Sequence, residues 1–278
     1  MRSHSQSSEE LVNEFVTETE EKHRHPEKYR GWKTGIADLD AVTGGLHRGW
    51  YFVVAGKRKS GKTAFLTTLT RSLGEQGVRV LRVSLEEANH QIMERMFSHV
   101  GGVDRNLYRD VMLGPDDWKR TYVAADIIKK YPTVWDSAVY TVDEIDVLSK
   151  KFAAEVILVD YIQLMTAHGA ESRTVEVSLI SRGLKSLTLS DPPRTVVAAA
   201  QLNDDGEYLW SRDIGRDADV ATKMSRVLDP YSHVIENKLK FEIADSRHSA
   251  MADFEIFFNG ARSMVGSLEK VDLNKLIS

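Results

Sequence analysis

Cysteine is absent from the 278 residues, which excludes disulfides and thiolate metal ligands and suits a reducing compartment. No run approaches the roughly eighteen consecutive apolar residues of a membrane-spanning helix, and Met1-Arg2-Ser3-His4 lacks the apolar core of a signal peptide. The expectation is a cytoplasmic protein with no membrane partner. A basic excess is missing too. The net charge of −4 argues against a broadly basic nucleic-acid coat, while leaving room for a locally basic channel. No internal repeat or low-complexity segment is evident. What remains is 42% hydrophobic and 28% charged residues, the composition of a globular protein. The length suits one large α/β domain or two small ones.

Against that background one motif stands out. Gly56-Lys57-Arg58-Lys59-Ser60-Gly61-Lys62-Thr63 satisfies G-x-x-x-x-G-K-[ST] and lies between an apolar run, Tyr51 to Ala55, and a segment from Ala64 with apolar residues at helical spacing. Its two glycines let consecutive N–H groups and a helix N-terminus face an anionic phosphate. Lys62 would then reach the outer phosphates, and the Thr63 hydroxyl would hold Mg²⁺.

Apolar runs and helical patterns alternate from there. Strands are expected at 51–55, 78–84, 137–141, 155–160 and 195–200, and helices at 62–75, 87–98, 143–152 and 173–189. The pattern predicts βαβ units and a mostly parallel sheet flanked by helices. After Gln201 come shorter strands near 219–226, 237–244, 252–258 and 262–265, read as an antiparallel C-terminal extension. Residues 1–30 are polar, with one short amphipathic helix in Glu9 to Val16 carrying Leu11, Phe15 and Val16. This arm is either a solvated tail or a segment that docks on a neighbouring subunit. Residues 31–278 form one domain.

Three further residues fall at strand ends, where ligands gather in open α/β sheets. Asp160 closes Glu155-Val156-Ile157-Leu158-Val159-Asp160 and suits the Mg²⁺ side of a nucleotide. Glu86, after Val80 to Leu85, either polarises the attacking water or opens the next helix, where the dipole favours acids. Gln201 either senses a γ-phosphate or caps its strand.

With these residues placed, the chain from 31 to about 265 resembles the ATPase domain of DnaB-type hexameric replicative helicases, a RecA-like fold. Thr34-Gly35-Ile36-Ala37-Asp38-Leu39-Asp40, Ser84-Leu85-Glu86-Glu87, Val159-Asp160-Tyr161-Ile162-Gln163-Leu164-Met165, Val177 to Lys185, Gln201-Leu202-Asn203 and Asp217 to Val220 occur in the family order. The resemblance implies a homo-oligomeric, hexameric ring with ATP and Mg²⁺ between subunits, single-stranded DNA in the pore, and a primase, loader or polymerase partner. Its setting would be a bacterial or phage-infected cytoplasm. It makes Glu86 the base, Asp160 the Mg²⁺-side acid and Gln201 the sensor. Arg95 packs near the base, and Ala64 completes the phosphate cradle. Arg247, in Ile243-Ala244-Asp245-Ser246-Arg247-His248, aligns with the finger offered to a neighbour's γ-phosphate. Asp245 departs from the pattern, standing where the family has lysine. DNA contacts fall in Thr166 to Arg173 and in Leu209 to Arg216, where Arg173, Ser211, Arg212, Gly215 and Arg216 are the candidates.

With about thirty residues before Gly31, set against the roughly hundred-residue N-terminal helical domain that the family resemblance implies for full-length members, the helix near Leu11 to Val16 is the candidate linker expected to reach the adjacent subunit. Two other functions compete with the helicase: a RecA-like ATP-binding loader or recombination mediator without unwinding activity, and a small-molecule kinase. The downstream blocks disfavour the kinase.

Overall fold

In the computed structural model, which describes residues 7–231 and 233–268, the chain divides into two units, Met1–Gly31 and Trp32–Ser278. The first is helical. Helix α1, Ser8–Arg24, begins at a capping box in which Ser7 Oγ accepts from Glu10 N at 3.2 Å and the Glu10 carboxylate accepts from Ser7 N at 2.7 Å. It runs well past the expected end at residue 16, because Glu18–Lys22 and Glu20–Arg24 pairs at 2.7 and 3.1 Å support a second half with no apolar stripe. None of its residues is buried. A four-residue helix, α2 (Pro26–Tyr29), follows with proline in its first turn.

The second unit starts with α3, Ala37–Thr43, then β1, Tyr51–Gly56, and α4, Lys62–Glu75. Next come β2 (Val80–Ser84), α5 (Asn89–Gly101), α6 (Arg105–Arg109), α7 (Pro115–Ile128) and β3 (Thr133–Asp136). The α/β alternation continues through α8 (Val142–Lys151), β4 (Val156–Asp160), a 3₁₀ turn at Ile162–Leu164, α9 (Arg173–Thr188) and β5 (Thr195–Gln201). After α10 (Asp213–Asp217), the strands β6 (Val220–Leu228), β7 (Val234–Ser246), β8 (Ala252–Asn259) and β9 (Met264–Ser267) close the unit.

These strands build one nine-stranded sheet in the order β3-β2-β4-β5-β1-β6-β7-β8-β9. The first six run parallel, and β7 to β9 continue antiparallel, as the alternating and then shortened patterns predict. Side chains on successive residues go to opposite faces. Phe52 and Val54 of β1, with Val156 and Leu158 of β4, join a core with Phe65, Leu66, Leu69 and Leu73 of α4. Tyr51, Val53, Ile157 and Val159 join a second core with Ile145 of α8 and Val177, Ile180 and Leu184 of α9. The far edge is pinned. Val265 of β9 exchanges hydrogen bonds with the Thr68 hydroxyl of α4 at 3.1 and 3.2 Å, and Ser267 Oγ accepts from Ala37 N at 2.8 Å.

One expected strand is displaced. Residues 137–141 form no strand, because Asp136 Oδ1 accepts from Ala138 N at 2.7 Å and Val139 N at 3.0 Å, turning the chain toward the Thr141 cap of α8. The edge strand is instead Thr133–Asp136, paired with β2. The helices α6 and α7 lie in a stretch where no element was expected.

Candidate nucleotide-binding site

Register brings the chemistry together. The carboxyl ends of β2, β4, β5 and β1 lie side by side, with Ser84 opposite Asp160 and Gly56 opposite Gln201. The loops leaving these ends and the turn after β8 enclose a cleft of about 580 Å³, lined by Ser60 to Ala64, Glu86, Arg95 and Gln201 among others.

The phosphate loop is shaped by its two glycines. A Cβ on Gly56 would collide with Ser60 Oγ and meet the Met224 carbonyl at 2.7 Å, and Gly61 caps α4 with φ +96°. The first-turn N–H groups of Lys62, Thr63 and Ala64 have no carbonyl one turn earlier within the helix and are oriented for an anion. Lys62 Nζ lies across the loop, donating to the carbonyls of Gly56 at 2.7 Å and Lys57 at 2.8 Å. Ser60 Oγ is buried without a partner. An orphaned hydroxyl, a free helix start and an ammonium held by two weak neutral acceptors fit a polyphosphate. Thr63 also lines the cleft, where a hydroxyl suits a metal-bound phosphate. Lys57 turns away to the Asp204 carbonyl at 2.6 Å, and the Lys59 carbonyl accepts from Arg226 at 3.2 Å. Arg58 lines the cleft and faces the Glu86 charge.

Burial, then the charges of Asp160 and Glu87, raise the Glu86 carboxyl above the ordinary carboxylate range, with Lys62 and Arg58 pulling the other way. A raised carboxyl is a stronger base when ionised. Burial also lowers the Lys62 ammonium, against the pull of Asp160 and Glu86. Next to Glu86, burial pushes Glu87 up, but its ion pair with Arg95 outweighs this and holds the carboxyl low. Arg95 also donates to Ser263 Oγ at 3.2 Å, tying α5 to the turn before β9.

Asp160 closes β4 at the expected strand end. It is buried beneath the cleft, and its Oδ2 accepts from Arg82 at 3.1 Å. Arg82, on β2 next to the edge strand, is 1% exposed and has no other counter-charge within ion-pair distance among the described residues, so it claims part of the carboxylate expected to face Mg²⁺. Its Nε and Nη1 make no hydrogen bond. Sequence reasoning passed over Arg82, although a lone arginine within Val80 to Val83 was a visible signal. It also passed over Arg226 of β6 and over Phe258, Gly260 and Ser263 of the antiparallel extension, which also wall the cleft.

Arg247 is not in this cleft. It follows β7 at the level of Val220 and Phe52, the opposite end of the sheet from Gly56. There it donates to the Arg216 carbonyl at 3.0 Å and lies 4.0 Å from Asp219, a buried carboxylate that Lys185 grips at 2.6 Å. Asp219, rather than Asp245, is its acidic neighbour; Asp245 lies close enough to Tyr208 to add to the burial that raises that phenol to about 12.

The family model described as DnaB-like helicase C terminal domain matches residues 31–265. The chain belongs to that family. It is 32% identical over 205 residues to the replicative DNA helicase DnaB of Buchnera aphidicola subsp. Acyrthosiphon pisum, covering 70% of this chain and 44% of that protein. To the DnaB of Geobacillus stearothermophilus it is 28% identical over 259 residues, covering 85% and 56%. The chain thus spans about half the length of these relatives. Its fold is shared with a solved structure of an ATPase domain, at TM-score 0.83 and 22% identity over 95% of this chain and 100% of that one. It is shared too with a DnaB-like replicative helicase described with its interactions with primase, at TM-score 0.80 and 22% identity, over 95% and 68%.

Within this DnaB-like domain, the two loops expected to meet DNA leave β4 and β5. Two of their candidate side chains are engaged internally. Arg173 pairs with Glu176, donates to the carbonyls of Gln163 at 2.7 Å and Met165 at 3.1 Å, and stacks on Trp210. Ser211 is buried and shares a hydrogen bond with Ser178 Oγ at 2.8 Å. Their hydroxyl and guanidinium set the loops' shape. Gly215 packs under the Tyr208 ring, which a Cβ would meet at 2.8 Å. Arg212 and Arg216 are 71% and 75% exposed, with only peripheral pairs to Glu207 and Asp213. No described helix is long and apolar enough to cross a membrane.

Proposed function

We propose that this chain is the motor domain of a ring-forming replicative helicase that hydrolyses ATP, moves along single-stranded DNA and separates duplex strands. The observation that carries the reading is the division of the chemistry: Lys62, Glu86 and Gln201 share one cleft, while Arg247 stands at the other end of the sheet, where a second copy's cleft can receive it. ATP binds with its phosphates on the N–H groups of Gly61 to Ala64 and on Lys62. Thr63 and the free oxygen of Asp160 would hold Mg²⁺, which supplies charge neutralisation to the phosphates. Glu86 takes the proton of the attacking water, and Gln201 registers the γ-phosphate. Arg247 from the next copy stabilises charge as the phosphoryl bond breaks. Arg212 and Arg216 give the loops their charge toward the DNA backbone.

A hexamer is the assembly that the family resemblance favours. In support of a neighbour contact, α1 presents Leu11, Val12, Phe15 and Val16 to solvent on a helix with no buried residue. A primase or loader is the partner class in keeping with the DnaB-like neighbour described with primase. The test is ATP turnover with and without single-stranded DNA, together with strand separation on a forked duplex. DNA-stimulated turnover and an opened fork are expected; an intact fork with no stimulation would refute the motor. A non-unwinding assembly protein is the second reading. The Arg82–Asp160 pair favours it, because a guanidinium already neutralises part of the metal-side acid.

A further inference from the structure

Gln163 lies in the 3₁₀ turn just after Asp160, is 3% exposed, and touches neither the cleft nor solvent. Its amide is used at both ends. Oε1 accepts from Gln201 N at 3.0 Å, while Nε2 donates to the Gln201 carbonyl at 3.2 Å and reaches the Leu209 carbonyl at 3.4 Å. Leu209 N donates to the same Gln201 carbonyl at 3.0 Å. The backbone carbonyl of Gln163 accepts from Arg173, whose guanidinium stacks on Trp210. A single buried residue therefore joins the end of the sensor strand to the base of the loop after β4 and to the base of the loop after β5. A primary amide accepts and donates at once in this place; a carboxylate would set a charge against two carbonyls, and an apolar side chain would leave Gln201 N and two carbonyls with less than their bonds.

We propose that Gln163 is a positioning residue that transmits the state of Gln201 to both DNA-facing loops, so that nucleotide and DNA affinities depend on one another through it. The coupling free energy between two such sites is reciprocal, and a contact of this kind belongs to the coupling rather than to either affinity. The inference rests on the reading of the chain as a DNA-stimulated ATPase.

The test uses the full chain and Gln163→Met, an apolar side chain of similar length. Turnover is measured with and without oligo-dT, and oligo-dT affinity is measured with ADP and with a non-hydrolysable ATP analogue. Turnover without DNA and the KM for ATP are expected within about twofold of the parent, while stimulation by DNA falls about tenfold and the affinity difference between the two nucleotides disappears. Gln163→Asn, which keeps the amide but draws it back by one methylene, is the second variant and is expected to lose the same difference with the fold retained. An unchanged stimulation ratio overturns the inference, as does a ratio preserved while both turnovers drop together. A parent that DNA does not stimulate overturns the helicase reading, and this inference with it.

Discussion

A mixing experiment bears most directly on where Arg247 acts. Phe52, Val220 and Ser246 lie at one level of the sheet, and Gly56 lies four residues further along β1. At about 3.3 Å per residue the start of the phosphate loop is about 13 Å beyond that level, with Lys62 farther still. Arg247 is moreover held at the near end by the Arg216 carbonyl and Asp219. Lys62→Ala loses the cradle, and Arg247→Ala loses the proposed finger, a class of group that contributes about a thousandfold or more to turnover. Each variant alone is expected to be nearly inactive. When they are co-assembled in equal amounts, a seam works only if the cradle comes from the Arg247→Ala copy and the finger from the Lys62→Ala copy. With each copy drawn at random, about one seam in four qualifies, so steady-state ATP turnover of the mixture is expected to recover to about a quarter of the parent's. Co-assembly is verified by gel filtration of differently labelled copies. Co-assembled mixtures no more active than the sum of the two variants would refute a finger acting between copies.

Other expectations concern single groups. Since burial raises the Glu86 carboxyl, the acid limb of the kcat profile is expected above the ordinary carboxylate range; Glu86→Gln should cost about a hundredfold or more in kcat and leave nucleotide binding intact, and a variant keeping most of its turnover would remove Glu86 as the base. Arg82→Met leaves Asp160 buried beside an apolar group and is expected to cost about 3 kcal/mol in urea unfolding, whereas a change below about 1 kcal/mol would mean the pair is not formed. Burial and the Arg71 charge push His99 down from 6.5 to about 3, so the folded state prefers the neutral ring. Its stabilising contribution is complete above pH 6.5 and is lost as pH falls toward 3, with a slope of about 1.4 kcal/mol per unit. His99→Gln should flatten that part of the acid unfolding curve, and an unaltered slope would count against the buried neutral imidazole.

Much of the fold was legible because the relevant patterns are local. The phosphate loop, β1 and α4 follow from the spacing of two glycines, a lysine and flanking apolar runs, and β4 and β5 from unbroken apolar stretches buried on both faces. Other elements carried no such mark. In α7 only Ala124 is buried while Trp118, Tyr122 and Val123 remain exposed, so its apolar residues do not trace a core-facing stripe. The second half of α1 is held by charge pairs, which periodicity does not register. The strand expected at 137–141 had the right residue types, but a single side chain, Asp136, turned it into a loop. Site residues divide similarly. Lys62 was marked by the phosphate-loop motif and Glu86 and Gln201 by strand ends, whereas the partners of Gln163 are 38 and 46 residues away in sequence, and a local reading has no access to such distances.

The cleft has walls from two differently built halves of the sheet. The phosphate loop, Glu86, Gln201 and Arg226 come from the parallel strands and the loops that leave them, whereas Phe258 and Gly260 come from the antiparallel extension. Whatever fills the space acts as a strut between them, and part of its binding free energy becomes rigidity of the outer ribbon. On the reading proposed above, ATP in that position would brace the outer ribbon before any bond is broken, and its departure would slacken that flank as well as empty the chamber.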